Sequence, residues 1–267
     1  MPLNYSSSLE RAILETLAYS DVFDYPLTLN ELHRYLTYPA TLEEVRNCLQ
    51  TFLSVHSASN FYFLPKRDFI VDIRREREAA SLPAFRRALI YGRILGLLPF
   101  VRMVAMTGSL AVLNLSKDAD MDYMLVTGTD RLWIARAIAV TFGRFMRLFG
   151  DRICVNLLVT ESALEWQPQD LYSAREMSQM IPISGVDIYE QLRETNPWIE
   201  TYLPNAKSTP LVTPKPQPRI AWLQKMIEFL LHGKLGDVLE KWSMDFQTKK
   251  NFRHAERSPS FKKASRS

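Results

Sequence analysis

The chain has 267 residues, 47% hydrophobic and 23% charged, which suits one large or two modest folded domains and excludes collagen, coiled coil and wholesale disorder. Its formal net charge is +4, from 33 Lys and Arg against 29 Asp and Glu, yet residues 249–267 alone hold +6, so the remainder sums to −2 and is no basic surface as a whole. Two cysteines inside apolar runs, Cys48 and Cys154, exclude a disulfide framework and fit a reducing compartment; with a start, MPLNYSSSLER, lacking signal-peptide character, they predict a cytoplasmic protein.

Leu9, Ile13, Leu14 and Leu17 share one helical face and predict a helix from about Ser8 to Tyr19, ahead of Pro26. Thr28 with Glu31, and Thr41 with Glu44, have the T-x-x-E spacing of a capping box and open helices near 29–36 and 42–53. A hairpin follows, with Ser57-Ala58-Ser59-Asn60 as its turn. Three helices and a hairpin are the order of a winged helix, expected over residues 1–80. Its third helix starts Leu42-Glu43-Glu44-Val45-Arg46-Asn47, with two acids and one base, inside a region (1–60) that sums to −4. Docking on DNA needs Lys and Arg at the contact surface, so DNA is disfavoured and a protein partner or a packing role is expected for this module.

Residues 61–102 sum to +5. Arg74-Arg75-Glu76-Arg77-Glu78 leads into a helix with Ser81 and Pro83 at its start or kink, and Phe85, Leu89, Ile90 and Ile94 line its inner face. The basic cluster reads first as a solvated helix face, and second as help in positioning a triphosphate. Then the period becomes that of strands: Phe100 to Met106, Met121 to Thr127 and Arg152 to Val159, with an amphipathic helix from about Asp130 to Leu148 between the last two. Segments 168–181 and 185–194 look helical, with Pro182 between them. Residues 81–205 form the expected second domain. In 206–248, four prolines from Pro210 to Pro218 make an extended linker, and Trp222, Leu223, Met226, Ile227, Leu230 and Leu231 mark an amphipathic helix, interrupted near Gly233 and Gly236, expected to pack on that domain. Membrane attachment through this helix is the lesser reading. Residues 249–267 are expected to be a basic disordered tail.

The chemistry lies in VAMTGSLAVLNLSKDADMDYMLVT, residues 104–127. A strand ends at Gly108-Ser109, and twelve positions after Gly108 the run Asp120-Met121-Asp122 opens the next strand. Alternation puts Asp120 and Asp122 on one face, about 7 Å apart, an oxygen pair open to a divalent cation that also holds phosphate oxygens. Gly108 allows close approach of the backbone to a phosphate, and Ser109 offers a hydroxyl and an N–H.

These residues resemble the polymerase-beta-like nucleotidyltransferase superfamily in its small bacterial form: apolar strand, Gly-Ser, spacer, then Asp-x-Asp in the next strand. The whole chain is also similar to bacterial proteins that join a winged helix to such a domain, a likeness that supplies no substrate. The resemblance implies an α+β protein: a winged helix, a small mixed-sheet transferase fold and C-terminal helices. It implies Mg²⁺ or Mn²⁺ on Asp120 and Asp122, a nucleoside triphosphate held by Gly108 and Ser109 with Lys117 as the basic residue of the spacer, and attack of an acceptor hydroxyl on the α-phosphorus with release of pyrophosphate. The family places a third carboxylate on a neighbouring strand, and here Asn156 stands in that position, a neutral amide that can ligate a metal but cannot take a proton. Two functions therefore fit: an active nucleotidyltransferase using Asp120, Asp122 and Asn156, or a catalytically degenerate fold acting as a nucleotide-binding or protein-interaction module.

Overall fold

The computed structural model describes residues 8–116, 119–206 and 221–257. The protein is mixed α+β, with two small sheets and helices at its C-terminal end. No helix among the described residues is long and apolar enough to cross a membrane.

The N-terminal unit consists of α1 (Ser8–Asp21), β1 (Leu27–Thr28), α2 (Leu29–Arg34), α3 (Leu42–Thr51), β2 (His56–Ala58) and β3 (Phe61–Phe63). Both capping boxes form: Thr28 and Thr41 accept from the N–H of Glu31 and Glu44, whose carboxylates take the Thr28 and Thr41 N–H groups in return. One strand escaped the sequence pattern. The two residues of β1 pair antiparallel with β3 on the side opposite β2, so the hairpin is the larger part of a three-stranded sheet.

Next comes α4 (Ile70–Gly96), a single helix in which the basic stretch is already helical and Pro83 is interior. Pro83 lacks the N–H for one helical bond and costs the helix about 3 kcal/mol. Burial on both sides of it, at Ile70, Val71 and Arg74 before and at Ala84, Ala88, Gly92 and Leu95 after, outweighs that local cost. The expected domain boundary at residue 80 thus falls within a continuous helix.

The second sheet has the order β6-β5-β4-β7, built from β4 (Val101–Met106), β5 (Met121–Thr127), β6 (Ile153–Thr160) and β7 (Ile181–Ser184). β5 pairs antiparallel with β4 and parallel with β6. The parallel pair is crossed over by α6 (Leu132–Arg147). The segment around Pro182, expected to separate two helices, is β7 between α7 (Leu171–Gln179) and α8 (Val186–Thr195). Pro182 is tolerated because β7 is an edge strand, and Ile181 and Ile183 are buried.

Alternation divides the sheet into two faces. Val104, Met106, Tyr123 and Leu125 pack with Ala84, Ala88 and Leu95 of α4 and Ile134, Ala135 and Ala139 of α6. Met103, Ala105, Met124 and Val126 pack with Ala174 and Met177 of α7, Tyr189 and Leu192 of α8, Ile199 of the short α9 (Ile199–Tyr202), and Ile13, Leu17, Leu32 and Leu36 of the N-terminal unit. The N-terminal unit therefore shares one hydrophobic core with this face.

Polar groups lock that docking. Arg74 is 7% exposed, donates to both Glu31 oxygens at 2.9 and 2.8 Å and to the Pro26 carbonyl, and lies over the Tyr25 and Phe61 rings. Arg67 pairs with Asp21 and Asp24, and Arg77 donates to the Phe23 carbonyl and Asn114. The basic cluster is accordingly divided: Arg75 and Glu76 face solvent as expected, whereas Arg74 and Arg77 are engaged by the N-terminal unit and by Asn114.

The C-terminal helices α10 (Ala221–Leu230) and α11 (Lys234–Arg257) are separated at Gly233, where φ is +85°, while Gly236 lies inside α11. Glu228 of α10 accepts from the Phe100 N–H and from Arg102, and Glu240 of α11 accepts from the Trp133 and Ile134 N–H groups that open α6. The proline-rich linker and the last ten residues lie outside the described residues.

Removing one partner of a buried ion pair strands the other, so Arg74→Met is expected to cost about 3 kcal/mol, measured by chemical denaturation. Burial pushes the Glu31 carboxyl up, but Arg74 and Thr28 together hold it below its ordinary value. A depressed carboxylate stabilises above its unfolded pKa, and that contribution is lost as pH falls through the folded value. Wild type should therefore lose stability on acidification in this window, and Glu31→Gln should flatten the curve there.

Candidate functional site

β4 ends at Met106, and Thr107 donates its N–H to the Asp122 carbonyl at 3.0 Å, keeping the two strands in register up to the turn. Gly108 follows with φ +65°, a conformation that favours glycine. A Cβ there would stand 2.7 Å from Asp122 Oδ2, so the turn and the carboxylate are in close apposition. Ser109 lies in the four-residue α5 (Gly108–Ala111), whose following loop closes with Asn114 N–H on the Ser109 carbonyl.

Asp122 is on the face of β5 shared with the N-terminal unit. Burial pushes its carboxyl up, the charge of Asp120 adds to the rise, and a hydrogen bond from the Cys154 thiol partly offsets it. Asp120 stands just before β5, half-exposed, with its Oδ1 3.1 Å from Arg152 Nε.

On β6 the direct neighbour of Asp122 is Cys154. The ladder then skips: Tyr123 faces Val155 and Met124 faces Leu157, so Asn156 is the extra residue of a bulge. It is exposed from the sheet and lines the same cavity as Gly108, Ser109 and Asp122. Lys117 lies outside the described residues.

That cavity, about 260 Å³, is walled by Tyr19, Phe23 and Tyr25 of the N-terminal unit on one side and by Tyr172, Arg175 and Glu176 of α7 on the other. Glu176, 54 positions beyond Asp122, belongs to no motif and carries no signal in the sequence. Burial pushes its carboxyl up, the Asp122 charge adds to this, and the Gly108 N–H, which donates to it, works in the opposite direction. A carboxylate thus takes the backbone amide expected to meet a phosphate.

Asp120, Asp122 and Glu176 bring like charges together, and among the described residues no Lys or Arg pairs with Asp122 or Glu176. No group of three or more His, Cys, Asp or Glu side chains there is arranged to hold a metal ion. Two aspartates with hard oxygen donors suit a Mg²⁺ or Mn²⁺ ion whose remaining ligands are phosphate oxygens and water, rather than a resident ion caged by protein.

Two substitutions separate strain from charge. Gly108→Ala is expected to destabilise the fold by about 1–2 kcal/mol, because a Cβ is forced into the left-handed region and against Asp122. Asp122→Asn keeps the shape and removes a half-buried, poorly compensated charge, so its thermal unfolding at neutral pH should be shifted upward.

Comparison of the chain with protein-family models, with curated proteins and with solved structures finds no match in any of the three.

Proposed function

We propose that the chain is a nucleotidyltransferase of the polymerase-beta-like type, moving a nucleoside monophosphate from a nucleoside triphosphate to an acceptor hydroxyl. The observation that carries this reading is the apposition of the left-handed Gly108 turn and the Asp122 carboxylate at the wall of one cavity, with Asp120 two residues before it. Asp120 and Asp122 would hold Mg²⁺ or Mn²⁺, which, when bound, neutralises the triphosphate and makes the α-phosphorus a better electrophile. The Gly108 and Ser109 turn receives the phosphates. To do so it releases Glu176, whose carboxylate competes with the phosphates for the Gly108 amide.

In the transfer, the acceptor oxygen forms a bond to the α-phosphorus as the bond to the β-phosphate oxygen breaks, and pyrophosphate leaves. The hydroxyl proton needs an acceptor that Asn156 cannot provide. Glu176, displaced from Gly108 and still within the cavity, is the carboxylate left for that task once the aspartates bind metal. Asn156 then contributes an amide that orients a substrate oxygen.

A second reading, a nucleotide-binding or protein-interaction module without turnover, is favoured by one observation: Cys154 rather than a carboxylate stands beside Asp122 on β6. Pyrophosphate release with any acceptor excludes it. For the N-terminal unit a protein partner or a packing role is preferred over DNA, since the single base at the start of α3, Arg46, is paired with Glu43.

Calorimetry with Mg²⁺ and ATP, GTP, CTP or UTP is expected to detect saturable binding that Asp120→Ala with Asp122→Ala abolishes while circular dichroism stays native. Absence of binding to the wild type with either Mg²⁺ or Mn²⁺ would refute the reading. Glu176→Gln should split the steps: nucleotide binds more tightly, because a competing charge has left the Gly108 amide, and turnover falls by about a hundredfold or more, as loss of a general base requires.

A further inference from the structure

Arg175 is a buried cation without an anion. It is 5% exposed and lines the cavity from α7. Among the described residues no carboxylate pairs with it. Of its five N–H donors, Nη1 reaches Ser20 Oγ at 3.2 Å and Nη2 reaches the Thr16 carbonyl at 3.5 Å, both long, and the buried Nε has no partner. The Tyr19 and Tyr35 rings lie 4.4 and 4.5 Å from the guanidinium carbon. Their negative faces recover part of the desolvation cost but supply no hydrogen-bond acceptor.

This cation does not serve the carboxylates already described. The charge acting on Asp122 is that of Asp120, and the charge acting on Glu176 is that of Asp122, whereas Arg175 acts on Tyr19 and Tyr35. The cavity is therefore lined by charges of both signs: Asp122 and Glu176 beside Gly108, and Arg175 beside Tyr19, Ser20 and Tyr35.

We infer that the acceptor in the proposed transfer is a small hydroxylated acid, with its oxyanion on Arg175 and its hydroxyl directed to Asp122. The inference rests on the nucleotidyltransferase reading above. A planar guanidinium with free donors fits a carboxylate or a phosphate monoester. A volume of about 260 Å³ admits a small molecule and not a duplex or a folded protein surface. The N-terminal unit is then part of the active site, since Tyr19, Ser20 and Tyr35 hold the guanidinium in place.

The test uses the full chain labelled with ¹⁵N-arginine, in which the Arg175 Nε–H signal is assigned from Arg175→Lys. If that variant does not fold, Ser20→Ala, which removes the Nη1 acceptor but keeps the guanidinium, identifies the signal by the displacement it causes. The probes are inorganic phosphate, acetate and Mg²⁺·ATP. Expected is a saturable shift of this signal with phosphate or with acetate, the stronger of the two naming the anion class, and no shift with Mg²⁺·ATP. The folded variant that lacks the guanidinium should bind that anion roughly tenfold more weakly, the equivalent of one charge-assisted hydrogen bond. A signal unmoved by both anions overturns the inference and leaves Arg175 as a structural clamp between aromatic rings. A signal moved by Mg²⁺·ATP makes Arg175 a triphosphate contact and overturns it equally. If an anion moves the signal while Mg²⁺·ATP binds nowhere, the anion site stands and the acceptor role falls with the transferase reading.

Discussion

The bidentate pair of Arg74 and Glu31 sets the position of everything around the cavity. Glu31 serves three purposes at once: it completes the capping box of α2, receives Arg74 of α4, and has Tyr25 Oη 2.8 Å from one of its oxygens. The same Tyr25 hydroxyl is 3.0 Å from the Val112 carbonyl, just beyond the Gly108 and Ser109 turn. One buried carboxylate therefore connects a helix start in the N-terminal unit, the long helix behind the second sheet and the loop that carries the phosphate-binding candidates. Part of the regional charge contrast is spent here, since Arg67, Arg74 and Arg77 meet Asp21, Asp24 and Glu31 across this interface. A desolvated ion pair of this kind contributes little net stability by itself, but it is intolerant of misplacement, and so it fixes geometry.

What that geometry creates is expensive. The sheet face that receives the N-terminal unit is otherwise apolar, yet it ends in Asp122 with Glu176 facing it and Arg175 buried nearby without an anion. Arg175 is buried and Asp122 and Glu176 are partly so, none with a full counter-charge, and a fold selected for stability alone would replace them with apolar or neutral residues. Poorly compensated charge of both signs gathered in one small cavity marks it as the candidate functional site of the fold.

The parts of this fold legible in the sequence were those specified by neighbours in the chain. Capping boxes at Thr28 and Thr41 marked where two helices start, though each ends two residues earlier than expected, and the apolar run after Asp122 gave the bounds of β5, because a central strand covered on both faces has a continuous signal. Long-range effects hid the rest. Pro83 reads as a helix boundary locally, and only burial on both sides of it keeps α4 continuous. β7 has four residues and a proline, too little for a strand pattern until β4 supplies the partner. At the site, Gly108, Ser109, Asp120 and Asp122 were visible through their spacing. Arg175 and Glu176 were not, for they stand side by side on a helix where no period distinguishes a cavity-lining pair from a solvated one. Asn156 was visible, but its place in a bulge was not, since a bulge is a mismatch between two strands and leaves no mark on either alone.

The C-terminal helices show the same limit from the opposite direction. The apolar periodicity of α10 predicted an inward stripe, yet of that stripe Trp222, Met226 and Leu230 are exposed, while Ile227 is half-buried and Leu231 packs against the core. Many of the adhesive residues are polar. Gln224 donates to the Leu98 and Val101 carbonyls, Glu228 takes the Phe100 N–H, Glu240 takes two N–H groups at the start of α6, and Ser243 and Gln247 donate to the Trp133 carbonyl. The first turn of a helix and the approach to a strand are the places where the backbone leaves its own donors and acceptors unpaired. A carboxylate brought to a helix start also meets the positive end of the helix dipole. α10 and α11 are thus held in part by finishing the backbone hydrogen bonding of β4 and α6, alongside Leu231 on the core and the Arg102–Glu228 and Arg131–Asp237 pairs, and this polar part of the docking leaves no hydrophobic period in the sequence.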